Sequence, residues 1–399
     1  MTSIPAPGVQ GAVGAGTVVP RTPDYYSPSF WNDYAVVRAE INRRISGSPD
    51  TTWHRHFHER VSRRRFRKAL FLMCGNGWVE RSILEARPLF EEAVGVDVST
   101  TLLDQARDAA RGLPIRYYEM DVNRDALPED GFDLVVNVAA CHHIAYLDRV
   151  LRLLCSALSP DGYLVSFDYV GPHRNQYTYL QWNAAWELNQ LIPAHLRRDM
   201  DGAYPHLSTM LHVDPTEAVH SELILPVTAR YFHFEEHRHA GGALAYEVLL
   251  NNEKMRNAPE KEQERWVTFV MDADLEFLQA NPGASYFDYY ACRPNQEALR
   301  DATALARWTE EETRREEEAQ KRGGRYHEHS LLQTLYSNLA DSTVAADHRL
   351  RTIHQLQAQL RQIEQSRSWR LARQIANAAR WVRTAARVGQ GSAGTIGNA

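Results

Sequence analysis

The 399-residue sequence predicts an α/β fold: a doubly wound, mostly parallel seven-stranded sheet with a helical C-terminal extension. Three observations lead there. From Lys68 to about Pro294, short apolar runs alternate with helical stripes, the pattern of a sheet covered by helices on both faces. A glycine turn, Cys74-Gly75-Asn76-Gly77, joins the first run to the first helix. Carboxylates stand at the ends of three runs, at Asp97, Asp121 and Asp168.

Each element follows from its own pattern. Residues 1–22 hold one charged side chain, Arg21, among small and apolar residues, and are expected to be a disordered tail. Residues 23–67 are expected to form an N-terminal helical segment. There Phe30, Tyr34, Val37, Ile41 and Ile45 fall at helical spacings, and Ser46-Gly47-Ser48-Pro49-Asp50 ends the helix. The basic, aromatic stretch Trp53 to Arg67 predicts a second helix. Within 68–294 the predicted strands start at Ala69, Ala93, Ile115, Phe132 and Tyr163, with helices around Val79, Thr101 and Leu147. Leu147, Val150, Leu151, Leu154 and Leu158 make one apolar stripe. A helical insert, Tyr177 to Leu196, interrupts the alternation. Last strands are expected at Tyr231 to Glu235 and Tyr286 to Cys292.

Composition narrows the function classes. At 44% hydrophobic and 24% charged, the chain can bury a sizeable core. No stretch approaches the roughly 18 apolar residues of a spanning helix. The N-terminus lacks the basic and apolar regions of a secretory leader. Four scattered cysteines (Cys74, Cys141, Cys155, Cys292) without a C-x-x-C pair suit reduced thiols in a cytoplasmic protein. A net charge of −5 argues against a chain that wraps nucleic acid, and no nucleic-acid partner is expected.

The glycine turn lets the backbone approach a ligand closely, beside a helix N-terminus. The dinucleotide fingerprint G-x-G-x-x-G is absent, which lowers the case for NAD or FAD. Asp97 ends the second strand, where a carboxylate can accept both hydrogen bonds of a ribose diol. Asp121 ends the third, in position to meet an adenine amino group. A cap or turn role is the alternative for either carboxylate taken alone.

In these residues the chain resembles the class I S-adenosylmethionine-dependent methyltransferases, over roughly Lys68 to Pro294. The resemblance implies a Rossmann-like methyltransferase fold and S-adenosyl-L-methionine as cofactor. It implies cofactor contacts at Met73, Cys74, Gly75, Asn76 and Gly77, at Asp97 and Val98, at Asp121 and Val122, and at Asn137. The family usually reads acidic-x-G-x-G-x-G; here Phe71 stands at the acidic position and Met73 at the first glycine. That departure motivates a competing reading, a binding or scaffold protein on a decayed methyltransferase fold. Ile41-Asn42-Arg43-Arg44-Ile45-Ser46-Gly47 and Asp168-Tyr169-Val170-Gly171-Pro172-His173-Arg174-Asn175-Gln176 resemble a bacterial subfamily associated with surface-polysaccharide biosynthesis. That implies a sugar or saccharide acceptor and a glycosyltransferase partner.

Methyl transfer to a hydroxyl needs alignment, exclusion of water and removal of a proton. His143 and His142, after the fourth strand, are the candidate bases, because imidazole titrates near neutrality. Capping the loop or stacking on adenosine are their alternatives. Asp168 is the further catalytic candidate, or else a scaffold carboxylate. Arg174 and Gln176 are expected to orient the acceptor, and Trp182 in the helical insert to roof it. No metal site is expected: His54, His56 and His58 lack a carboxylate or cysteine partner in sequence.

Residues 295–388 contain no strand pattern. Leu339, Ala346, Ile353 and Leu360 fit one heptad position; Leu335, Ser342, Arg349, Leu356 and Ile363 fit the other. This predicts a coiled-coil arm, with a homo-oligomer through it or a helix folded back on its own domain as the options. Beyond Glu364 no acid follows, while Arg367, Arg370, Arg373, Arg380, Arg383 and Arg387 do. Leu371, Ile375 and Val382 share the opposite face. The segment is expected to be a basic amphipathic helix that meets an anionic membrane surface or a partner enzyme, placing the protein at the inner membrane face. Residues 389–399 are expected to be a second disordered tail.

Overall fold

The computed structural model describes residues 30–86, 89–200, 204–207, 210, 211, 214, 216–300, 314, 354–359, 361 and 362. The expected tails and nearly all of the heptad and basic segments lie outside the described residues. The chain divides into two units, one made of 1–200 with 205–338 and the other of 201–204 with 339–399. In the second, 354–359, 361 and 362 are helical.

In the first unit, α1 (Ala35–Ser46) and α2 (Trp53–Arg60) precede the sheet. Gly47 closes α1 in the left-handed conformation, its N–H donating to the Arg43 carbonyl, a glycine C-cap. The second helix is shorter than expected. Ser62 and Arg63 take positive φ and turn the chain, so that the last residues of the basic stretch already enter the first strand.

The strands are β1 (Phe66–Leu72), β2 (Phe90–Asp97), β3 (Ile115–Glu119), β4 (Phe132–Val138), β5 (Leu158–Tyr169), β6 (Phe232–Gly241) and β7 (Phe287–Pro294). Their order is β3-β2-β1-β4-β5-β7-β6. The first five pair in parallel. β7 runs antiparallel to both β5 and β6. Strand order reverses between β1 and β4, which opens a crevice at the carboxyl ends of the strands. The connecting helices are α3 (Trp78–Ala86), α4 (Thr100–Ala109), α5 (Leu147–Ala157), α6 (Tyr179–Leu191), α7 (Ile224–Tyr231), α8 (Ala245–Leu249), α9 (Glu253–Arg256) and α10 (Glu260–Ala280).

One core layer sets Leu70, Leu72, Val94, Val96 and Val135 of the sheet against Val150, Leu151 and Leu154 of α5 and Ile224, Val227 and Tyr231 of α7. The expected apolar stripe of α5 is the face that is buried. Leu158, the last member of that stripe, is instead the first residue of β5. α1 is tied to the far edge of the sheet. Half-buried Arg44 donates to Asp274 of α10 at 2.8 Å and to the Ala240 and Met271 carbonyls.

Candidate active site

The first half of the site is the β1–α3 loop. Met73, Gly75 and Gly77 all have positive φ. Gly75 donates its N–H to Asp97 Oδ2 at 2.8 Å, and Cys74 donates to the Val96 carbonyl. The loop is thus fastened to the end of β2. At Gly77 a Cβ would collide with the Tyr117 hydroxyl and lie 2.9 Å from both Glu80 Oε1 and Arg81 Nη1, so only glycine fits. Met73 keeps the left-handed backbone that the missing glycine would supply, at a cost of about 1–2 kcal/mol. Phe71 is buried and edge-on to Phe90, spending the family's acidic position on the core.

Asp97 is 8% exposed and accepts from the Gly75 and Ser99 N–H groups, one per oxygen. Each oxygen keeps a lone pair for a further donor. Burial raises its carboxyl above the ordinary range, against those two bonds and the nearby His143. Asn76 Oδ1, in the loop itself, is buried with no hydrogen-bond partner. Asp121 lies past β3 and accepts from Asn123 N–H at 3.0 Å in a turn. Val122 is buried and Val98 exposed beside these carboxylates. A glycine cradle, a carboxylate with spare acceptor capacity and an orphaned amide oxygen fit a nucleoside bearing an amino-acid tail.

Sequence reasoning missed Glu80. It is fully buried on the first turn of α3, beside the Tyr117 hydroxyl, with no well-formed hydrogen bond to either carboxyl oxygen. Burial pushes its pKa up to about 7. An acid three residues beyond Gly77 was the available signal.

The second half lies at the ends of β4 and β5. After β4, Ala139 takes positive φ and a 3₁₀ turn, Cys141–His143, presents both histidines. Asp168, fully buried, accepts from Asn137 Nδ2 (2.6 Å), Cys141 N–H (2.7 Å) and Tyr169 N–H (2.7 Å), and pairs with His142 Nδ1 at 2.6 Å. Burial alone would raise Asp168, but the His142 charge and these donors hold it below the ordinary range. Burial alone would lower His142; Asp168 and Glu217 outweigh it and push it up to about 9. Burial and the His142 charge lower His143.

Glu217, also missed, comes from the segment before α7. Its Oε2 lies 3.7 Å from Nε2 of both His142 and His143. His143 Nδ1 lies 3.2 Å from the Thr216 carbonyl and hydroxyl. Glu217 stands 74 positions beyond His143 in sequence, with no motif around it to signal the meeting.

The expected site residues therefore divide. The loop, Asp97 and the two histidines converge at one sheet edge. Three expectations are corrected. Asp168 does not reach an acceptor; its oxygens are consumed inside the fold, so it positions His142. Asn137 is fully buried and bonded to Ser166 and Asp168, so it fastens the β4 loop and does not hold the cofactor. Trp182 is buried and stacked on Tyr177, a wall of the aromatic layer and not a roof. Arg174 and Gln176 brace the loop: the Arg174 N–H donates to the Ala218 carbonyl, and Gln176 Nε2 to Arg174 and Pro205 carbonyls. All four cysteines are buried and free. His54 lies beside Thr52, and His56 beside Glu236.

Residues 71–166 match the family model described as "Methyltransferase domain". An uncharacterized methyltransferase of Mycobacterium bovis is 26% identical over 147 residues, 37% of this chain and 69% of the relative. Demethylmenaquinone methyltransferase of Thermus thermophilus is 28% identical over 139 residues, 34% of this chain and 63% of that protein. An S-adenosylmethionine-dependent methyltransferase structure from Mesorhizobium loti is 19% identical, covers 57% of this chain and 90% of its own, and has a TM-score of 0.35. Residues 71–166 therefore carry a methyltransferase domain.

Proposed function

We propose that the protein moves the methyl group of S-adenosylmethionine to a hydroxyl of a sugar or saccharide intermediate. When bound, the cofactor supplies an electrophilic methyl carbon on a sulfonium. The β1–α3 loop would hold it by close backbone approach and the Asn76 amide oxygen, and Asp97 by its ribose-facing carboxylate. His142, His143 and Glu217 would receive the acceptor and ease loss of its proton. The observation that carries this reading is the convergence of both histidine Nε2 atoms on Glu217 Oε2, at 3.7 Å each, at the carboxyl end of β4, on the same side of the sheet as Asp97 at the end of β2.

A buried aromatic layer backs the histidines: Tyr169 lies edge-on to His142 at 6.0 Å, and Tyr286 stacks on Tyr177 at 5.2 Å. The preserved left-handed backbone at Met73 speaks against a decayed cofactor loop. The basic C-terminal segment would hold the protein near an anionic surface or a glycosyltransferase; among the described residues no helix is long and apolar enough to cross a membrane.

Calorimetry with S-adenosylmethionine comes first, then acceptor screening with methyl-labelled cofactor over sugars, amines and carboxylates. Label in a sugar ether is the expected result. His143→Ala should lower that turnover roughly 10²–10⁴-fold. Label only in an amine would overturn the hydroxyl assignment.

A further inference from the structure

We propose that His142, His143 and Glu217 form a binding site for one divalent transition-metal cation, of the Zn²⁺, Mn²⁺ or Co²⁺ kind, which holds the acceptor hydroxyl. The proposal reverses the expectation of no metal. It deepens the proposed function and rests on reading this sheet edge as the acceptor site.

Geometry carries the argument. One ligand atom from each of the three residues lies within 4.8 Å of the others. Both His Nε2 atoms stand 3.7 Å from the same carboxylate oxygen, Glu217 Oε2. That spacing is too long for a hydrogen bond. It suits ligands of one ion: atoms each about 2.1 Å from a metal are separated by at most about 4.2 Å.

The outer contacts are those a metal site requires. A ligating histidine normally ties its other ring nitrogen to a carboxylate or carbonyl, which fixes its tautomer and aim. His142 Nδ1 is tied to Asp168 at 2.6 Å, and His143 Nδ1 to Thr216 at 3.2 Å. Thr216 is itself anchored, its hydroxyl donating to Asp214 at 2.7 Å. Both rings are therefore locked with their Nε2 atoms toward Glu217.

The donor set selects the ion. Two imidazoles and one carboxylate suit first-row transition metals better than Mg²⁺ or Ca²⁺, which prefer oxygen. Three protein ligands leave positions open for an acceptor oxygen. The hydroxyl would give its proton to solvent water as its oxygen binds the cation. Its O–CH₃ bond then forms as the S–CH₃ bond breaks, and the electron pair of that bond stays on sulfur. The products are a methyl ether and S-adenosylhomocysteine.

A second cluster, His237, His239 and Asp288, supplies the contrast. There the ring nitrogens lie 2.6 and 3.0 Å from the same carboxylate. These are closed hydrogen bonds with no gap for an ion, and both histidines are exposed.

The test uses the full-length protein, stripped with a chelator and titrated with Co²⁺. One equivalent should bind with visible d–d absorption typical of imidazole ligation. Glu217→Gln and His143→Gln should each weaken it at least about tenfold, while His239→Gln leaves it unchanged. Excess Mg²⁺ should not displace it. If His143→Gln does not fold, the wild-type spectrum and Glu217→Gln decide. A colourless wild-type titration, or an equivalent lost in His239→Gln but kept in Glu217→Gln, overturns the proposal. Cofactor calorimetry on the stripped protein separates the two ideas. Cofactor binding without cobalt binding sinks the metal site alone; absence of cofactor binding sinks the methyltransferase reading on which its role depends.

Discussion

Asp97 and Asp168 are buried carboxylates at equivalent ends of β2 and β5, yet the fold moves their protonation in opposite directions. Asp97 rises and Asp168 falls, although Asp168 is the more deeply buried. The charge of His142, and then the larger number of donors, decide. Asp97 receives two backbone N–H groups. Asp168 receives backbone and side-chain donors from β4, the β4 loop and β5, together with a histidine. A carboxylate with capacity left over can recruit a ligand. One whose capacity is filled serves to position its neighbours.

That contrast is sharpest at Asp168. Asp168→Ala takes the acceptor from the Tyr169 N–H group and His142, while Cys141 N–H keeps Asn137 Oδ1 and Asn137 Nδ2 keeps Ser166. Breaking a buried ion pair in this way should cost about 3–5 kcal/mol. Urea unfolding measures it. Because Asp168 acts through His142, the milder Asp168→Glu should lower kcat while cofactor affinity stays within about twofold. A loss of only about 1 kcal/mol in Asp168→Ala would show that the donors are satisfied elsewhere.

Glu80 extends the comparison to a carboxyl whose burial outweighs the little that Tyr117, Arg81 and the helix backbone offer it. Its folded pKa, raised to about 7, means the folded state binds its proton more tightly than the unfolded chain does. By linkage the penalty is absent below the unfolded value of about 4.5, grows as pH rises, and is complete above about 7. Its size is on the order of 2–4 kcal/mol. Glu80→Gln should therefore be more stable than wild type at pH 8 and nearly equal to it at pH 4.5. Parallel stability curves for the two proteins across that range would contradict the assignment.

At Asp97 the effect should appear in binding. A ribose diol would donate two charge-assisted hydrogen bonds, each worth roughly 1.5–3 kcal/mol. Asp97→Ala should weaken S-adenosylmethionine by at least about tenfold, read by calorimetry on folded protein. Unchanged affinity would remove Asp97 from the cofactor site.

The two halves of the site also differed in how far they could be read from sequence. The glycine turn, Asp97 and the α5 stripe are local patterns, and each lies where its period and residue types place it. Glu217 meets His143 only through tertiary folding, so no spacing rule reaches it. Asp168 was legible as a strand-end carboxylate, but its role depends on donors drawn from three elements. β6 runs to Gly241, well past the expected Glu235, because an edge strand carries His, Arg and Glu on its open side and blurs the apolar signal. Phe71 and Met73 were visible as departures. Their consequence was not, since it depends on backbone dihedrals and ring packing.

Met73 tests whether the cofactor half is held by backbone shape or by side chains. Its φ of 45° is the conformation that a glycine would adopt without strain. Met73→Gly should recover about 1–2 kcal/mol of that strain. Against this, glycine adds backbone entropy to the unfolded chain, about 0.5–1 kcal/mol. It also gives up the apolar contact of a partly buried side chain with the core layer, again about 1 kcal/mol. The terms nearly cancel, so stability should change by less than about 1 kcal/mol, with cofactor affinity equal or slightly improved. Met73→Val is the sharper arm. A β-branched residue at positive φ is strongly disfavoured, and the variant should lose about 1–3 kcal/mol together with cofactor affinity. If valine is tolerated as well as glycine, the loop can relax out of its left-handed turn. Backbone shape would then not be what binds the cofactor, and Asp97 would have to carry more of the affinity than its two spare lone pairs suggest.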